Sequence, residues 1–150
     1  MKILVCTDGS ANSKKGVEIA AKMIDDCKVS EIALIHVHES SRLLPDYWQG
    51  KYLFTEEEKE QISKLDKRVK EERKNIFADA LSLFKDKNLE VETIFKIGHP
   101  AEVIAETAES GGFDLVVIGR RGTGSVKKLF MGSVSSTVLQ LVKTNILIVK

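Results

Sequence analysis

The chemistry in this chain concentrates between Gly119 and Ser136. Gly119, Gly122, Gly124 and Gly132 supply backbone that can approach a ligand closely and take conformations closed to other residues. Arg120, Arg121, Lys127 and Lys128 bring positive charge, and no acidic residue interrupts the stretch. Thr123, Ser125, Ser133, Ser135 and Ser136 add hydroxyls. Leu115-Val116-Val117-Ile118 precedes it as a continuous apolar run, the pattern of a buried parallel strand. Val134, Val138, Leu141 and Val142 follow at helical spacing. The stretch therefore reads as strand, glycine-rich loop and helix start. Successive amides of such a loop form an anion-binding nest. A helix beginning at Gly132-Ser133 points unpaired N–H groups and a positive dipole end at the same place. Together they make a phosphate cradle for a nucleotide; the competing reading is a flexible surface loop with a capped helix behind it.

Two common phosphate motifs are excluded. Gly119 and Gly124 have Walker A spacing, but Ser125-Val126 stands where Lys-Ser/Thr is needed. The order is G-x-x-G, nine residues, then G-S, which is not G-x-G-x-x-G. Asp8, in Asp8-Gly9-Ser10, is either a turn former bonded to its own backbone or a polar group at the ligand-binding end of a central strand. His36 and His38 share one strand face, but further metal ligands are not evident. His99, before Pro100, is a poor helix cap. Cys6 and Cys27, far apart in sequence, read as buried thiols of a reducing compartment and not as a disulfide.

The elements that must position these residues follow from periodicity. At 150 residues, one domain over 1–150 is expected. A net charge of +1 gives no global attraction to nucleic acid or membrane. No apolar run reaches the length of a membrane helix, and no leader peptide is evident, so a cytoplasmic location is expected. Strands are expected over 2–7, 31–37, 89–97, 115–118 and 146–150. A helix runs to about Cys27, capped by Ser10 or Asn12. Thr55-Glu56-Glu57-Glu58 is a capping box opening a long helix striped by Ile62, Leu65, Val69, Ile76, Phe77, Ala80, Leu81 and Phe84. Pro100 opens a short helix that Gly111-Gly112 closes. The 39–55 connection carries Tyr47, Trp48, Tyr52 and Phe54, expected to pack as a satellite cluster on the next helix, with a lid or partner surface as the alternative. The alternation implies an α/β fold: a doubly wound, Rossmann-like, five-stranded parallel sheet of order 3-2-1-4-5 with helices on both faces. Asp8 then faces the glycine loop. Receiver domains share the doubly wound layout, but Ile97-Gly98-His99 lacks the acidic residue they need at the end of strand three.

The set as a whole resembles the universal stress protein family, in its ATP-binding subgroup. The resembling pieces are Ile3 to Ser10, Gly98-His99-Pro100-Ala101-Glu102-Val103-Ile104, Asp114 to Gly119, G-x-x-G-x9-G-S, and Ile146 to Val149. Proline is frequent in that family where Cys6 and Asn145 stand, and aspartate where His99 stands. The resemblance implies ATP, with Mg²⁺, held by Cys6, Thr7, Asp8, Val37, Gly119, Arg120, Arg121, Gly122, Thr123, Gly124, Ser125, Gly132, Ser133, Val134 and Ser135, with Val37 beside the adenine through its backbone. It also implies a homodimer paired through strand 146–150. A regulatory binding module is the function expected. A slow ATPase or self-phosphorylating enzyme and a non-nucleotide interaction protein are the alternatives.

Overall fold

The computed structural model describes residues 1–39, 46–47, 49–50, 53–122 and 131–150. Trp48, Tyr52, Thr123, Gly124, Ser125, Lys127 and Lys128 lie outside the described residues. The elements run β1 (Lys2–Cys6), α1 (Ala11–Asp26), β2 (Glu31–His38), α2 (Glu56–Ser82), β3 (Val91–Ile97), α3 (Pro100–Ser110), β4 (Leu115–Gly119), α4 (Ser133–Leu141) and β5 (Asn145–Val149). The five strands form one parallel sheet of order β3-β2-β1-β4-β5, as expected.

β1 is apolar on both faces because both are covered. Ile3 and Val5 pack with Val17, Ala20, Phe77, Ala80 and Phe84 of the α1/α2 side. Leu4 and Cys6 pack with Ala101, Ile104, Ala108 and Val138 of the α3/α4 side. Winding reverses after β3, so β1 and β4 are neighbours whose outgoing turns lead to helices on opposite faces. Such a divergence leaves a crevice at the carboxyl ends of the strands.

Local chemistry sets the helix ends. Ser10 caps α1, accepting from Ser13 N at 3.1 Å. At α2, Thr55 Oγ1 accepts from Glu58 N and Glu58 accepts from Thr55 N, the expected capping box. His99 precedes α3 without a side-chain cap bond. Tyr47 and Phe54, with ring centroids 5.7 Å apart, pack against Ile62, Leu65, Val69 and Phe95; of the four aromatics expected in a satellite cluster, these are the two that lie among the described residues.

The expectation that both cysteines are buried fails for one. Cys6 is buried but Cys27 is exposed, because it is the C-cap residue where the chain leaves α1. The helical stripes also extend past their packing partners: Leu81 of α2 and Leu141 of α4 are exposed. No helix among the described residues is long and apolar enough to cross a membrane.

Candidate functional site

Three chain segments converge where β1 and β4 end. The first is the β1–α1 turn. Gly9 adopts φ +76°, which lets the chain reverse directly after Asp8. Asp8 Oδ1 accepts from Ser10 N at 3.0 Å, the local turn bond expected of an aspartate here. Ser13 Oγ donates to Ser10 O at 2.9 Å and accepts from Asp8 N at 3.4 Å. Asp8 is thus both a turn former and a wall of the crevice.

The second segment is the exit from β4. Gly119 lies so close to α1 that a Cβ there would sit 2.9 Å from the Asn12 carbonyl carbon and from Ser13 N. Gly122 lies against Asp8: a Cβ on it would collide with the Asp8 carboxylate. Ser10 Oγ reaches Arg121 O at 3.4 Å, tying the first turn of the protein to the glycine-rich stretch.

The third segment is the start of α4. Gly132 is its N-cap and supplies no side-chain cap bond. The first intrahelical bond runs from Ser136 N to Gly132 O, so the preceding first-turn amides have no partner within the helix. The helix start is fastened to β4 by Arg120, whose carbonyl accepts from Gly132 N at 2.9 Å and from Ser135 Oγ at 2.8 Å.

These segments and the end of β2 enclose one cavity of about 430 Å³. Of the residues read from sequence, Cys6, Thr7, Asp8, Val37, Gly119, Arg121, Gly122, Gly132, Ser133, Val134 and Ser135 line it. Arg120 does not. Its role is through its backbone, and its Nε is buried with no partner among the described residues. Ser135 is 2% exposed and spends its hydroxyl on Arg120 O, so it fastens the helix instead of presenting an oxygen, whereas Ser133 is exposed. Further lining comes from Ile35, His36, His38, Glu39, Glu72, Ile104 and Ile118. Sequence had raised His36 and His38 only as a metal pair, and Glu72 not at all. Among the described residues no cluster of ligating side chains is arranged to hold a metal ion. The signal available for Ile35 and Ile118 was their place at the carboxyl ends of central strands.

Electrostatically the cavity has two ends. Arg121 and the amides at the start of α4 favour an anion at one. His36, His38, Glu39 and Glu72 line the other, with His38 Nδ1 at 3.9 Å from Glu72 Oε2. Burial pushes the Cys6 thiol well above its ordinary range, and the negative charge of Asp8 adds to that. Cys6 is therefore a wall and not a nucleophile.

A doubly wound sheet with a glycine-lined, helix-tipped crevice at its switch point defines a class, the Rossmann-like α/β proteins that take ligands there. Within that class, the universal stress protein family model matches residues 1–150, and the chain belongs to this family. It is 31% identical over 149 residues to the universal stress protein YxiE of Bacillus subtilis, covering 99% of this chain and 98% of that one. The solved structure of MJ0577, a universal stress protein of Methanocaldococcus jannaschii, superposes with a TM-score of 0.78 at 26% identity, covering 99% and 94% of the two chains. A universal stress protein from Archaeoglobus fulgidus, solved in complex with dAMP, shares the fold with a TM-score of 0.67 at 18% identity, covering 100% and 98%.

Proposed function

We propose that this chain is a regulatory module that binds an adenine nucleotide, ATP with Mg²⁺, in the crevice between β1 and β4. The observation that carries the reading is the convergence of three features on one cavity: the uncapped first turn of α4, the close approach of Gly122 to Asp8, and Arg121. Helix-tip amides with a guanidinium suit a polyphosphate. The dAMP complex of the Archaeoglobus fulgidus relative supports adenine as the base. Mg²⁺ binds through phosphate oxygens, waters and one or two carboxylates. Asp8 is the cavity carboxylate beside the glycine-rich stretch, Glu39 and Glu72 lining the other end, and no larger cage of described residues is needed for a metal that arrives on the nucleotide. Such an ion would neutralise charge between neighbouring phosphates.

Among the described residues, the Ser133 hydroxyl exposed in the crevice is hydrogen-bonded to no base that would activate it for phosphoryl transfer. Cys6 is held as a thiol and the Ser135 hydroxyl is engaged. A binding protein is therefore favoured over an efficient enzyme, and ligand acts by favouring one conformation or partner surface. Two unpaired thiols suit a reducing, cytoplasmic compartment. β5 is an edge strand carrying Ile146, Leu147 and Ile148, and pairing with a second copy would satisfy that edge. Light scattering is expected to give twice the chain mass; a monomer at micromolar concentration would count against the dimer.

Titration calorimetry with ATP, with and without Mg²⁺, tests the central reading. Saturable binding is expected, and no affinity in either condition refutes it. Incubation with ATP on the minute scale separates module from enzyme: ADP or phosphoprotein above that of a Gly132→Trp control would favour the enzyme.

A further inference from the structure

His36 has one ring nitrogen committed. Its Nδ1 lies 2.9 Å from the Thr7 carbonyl oxygen. A carbonyl only accepts, so Nδ1 carries the proton, and in the neutral ring Nε2 is then a hydrogen-bond acceptor. The residue is 5% exposed and still lines the cavity. Phe77 meets the ring edge-on at 6.3 Å between centroids, and Phe95 lies at 5.9 Å. No described residue bonds Nε2. His36 lines the cavity, so Nε2 is left to a ligand or water there.

We propose that His36 Nε2 is the base-reading acceptor of this crevice, taking a hydrogen bond from the 6-amino group of adenine and so selecting adenine over 6-oxo purines. The inference rests on the adenine-nucleotide reading above. Phosphate oxygens are themselves acceptors and cannot face Nε2, which assigns the nucleoside half to the His36 end and the polyanion to the α4 end. A 6-oxo group would oppose two acceptors and leave both unpaired, the kind of mismatch by which buried polar sites discriminate.

The test compares ATP, inosine triphosphate and 2′-deoxy-ATP on the wild type, His36→Asn and His36→Gln, by calorimetry with thermal melts as a folding check. Asparagine places an amide nitrogen where Nδ1 donates to Thr7 and removes the Nε2 acceptor. Glutamine reaches the Nε2 position with an amide oxygen. The wild type is expected to prefer ATP to the inosine analogue by about tenfold or more, the worth of one well-placed hydrogen bond. His36→Asn is expected to bring the ratio to within about twofold, and His36→Gln to restore part of it. An unchanged ratio in His36→Asn overturns the proposal, as does a wild type that binds the two nucleotides equally. Selectivity that moves for 2′-deoxy-ATP instead assigns Nε2 to the ribose and also overturns it. Binding of no triphosphate at all overturns the adenine-nucleotide reading itself, a result distinguishable from binding without selectivity.

Discussion

Gly119 offers the most direct test of how closely the site is built. A Cβ at this position would stand 2.9 Å from the Asn12 carbonyl carbon, 2.9 Å from Ser13 N and 3.1 Å from Asn12 Cβ. The obstructing atoms are mostly helix backbone, which cannot rotate aside as a side chain would. Relief requires the start of α1 to move away from β4. Overpacking of this kind costs about 1–3 kcal/mol, while alanine recovers about 0.4–1 kcal/mol by restricting the unfolded chain. Gly119→Ala is therefore expected to lose about 1–2 kcal/mol, lowering the melting temperature by about 2–8 °C for a chain of this size. Gly16 is the control. It lies on the same helix, yet its Cβ would meet only Val117 Cγ1 at 3.5 Å and Gly119 N at 4.0 Å, ordinary contact distances. Gly16→Ala is expected to gain up to about 1 kcal/mol from helix propensity. Urea unfolding followed by circular dichroism reads both. If Gly119→Ala is as stable as the wild type, or Gly16→Ala is the more damaging, the reasoning from close approach fails. Because α1 begins beside Asp8 and Ser10, nucleotide affinity should fall in Gly119→Ala and stay unchanged in Gly16→Ala.

Gly122→Ala should weaken nucleotide binding by about tenfold with little change in melting temperature, since its Cβ displaces only the Asp8 side chain; calorimetry decides, and unaltered affinity would refute it. Thr55→Ala removes one half of the α2 capping box and should cost about 1 kcal/mol in urea unfolding; no loss would mean that this helix end frays in the native protein. Cys6 sets a pH dependence. Burial raises its pKa in the folded state, so the unfolded thiol loses its proton first, above about pH 8.5. Stability should then fall as pH rises past that point, by up to about 1.4 kcal/mol per unit. Cys6→Ala should flatten that limb, and parallel profiles for the two proteins would refute the assignment.

The fold was legible because its signals are local and redundant. Leu115 to Ile118 is a short, continuously apolar run bounded by Asp114 and Gly119, the pattern of a buried parallel strand, and it is covered on both faces. Thr55 and Glu58 mark a helix start by their own hydrogen bonds. Alternation of strands and helices then leaves few topologies, and the observed order is one of those that a single reversal of winding permits. Side-chain direction at the site was less legible. Nothing in the run Ser133-Val134-Ser135 says which hydroxyl turns inward. That depends on where the Arg120 carbonyl lies, and Arg120 is 15 residues from Ser135. Arg120 and Arg121 are adjacent and chemically alike, yet only Arg121 lines the cavity. The role of His36 was not legible beyond a weakly supported metal pair, because its tautomer is set by Thr7, just past the end of β1 and 29 positions away. Cys27 read as buried because helix periodicity cannot locate the cap residue at which burial ends.

The two serines of α4 separate the framework of the crevice from its contact surface. Arg120 O receives Gly132 N and Ser135 Oγ without any ligand, so both ends of the glycine-rich stretch are held by the protein itself. Binding then need not bring the helix tip to β4, which reduces the ordering cost that a ligand must overcome. Ser135→Ala removes one of these fastenings from a residue 2% exposed. It should cost about 1 kcal/mol of stability, and it should weaken nucleotide binding because the tip is less firmly positioned. Ser133 is exposed at the cavity and makes no such bond to Arg120. Ser133→Ala should leave unfolding unchanged and weaken binding alone, through the lost hydroxyl. The pair is read by melting temperature in the absence of nucleotide and by calorimetry in its presence. A stability loss in Ser133→Ala with none in Ser135→Ala would invert the assignment and show that the helix tip is held by something other than the Arg120 carbonyl.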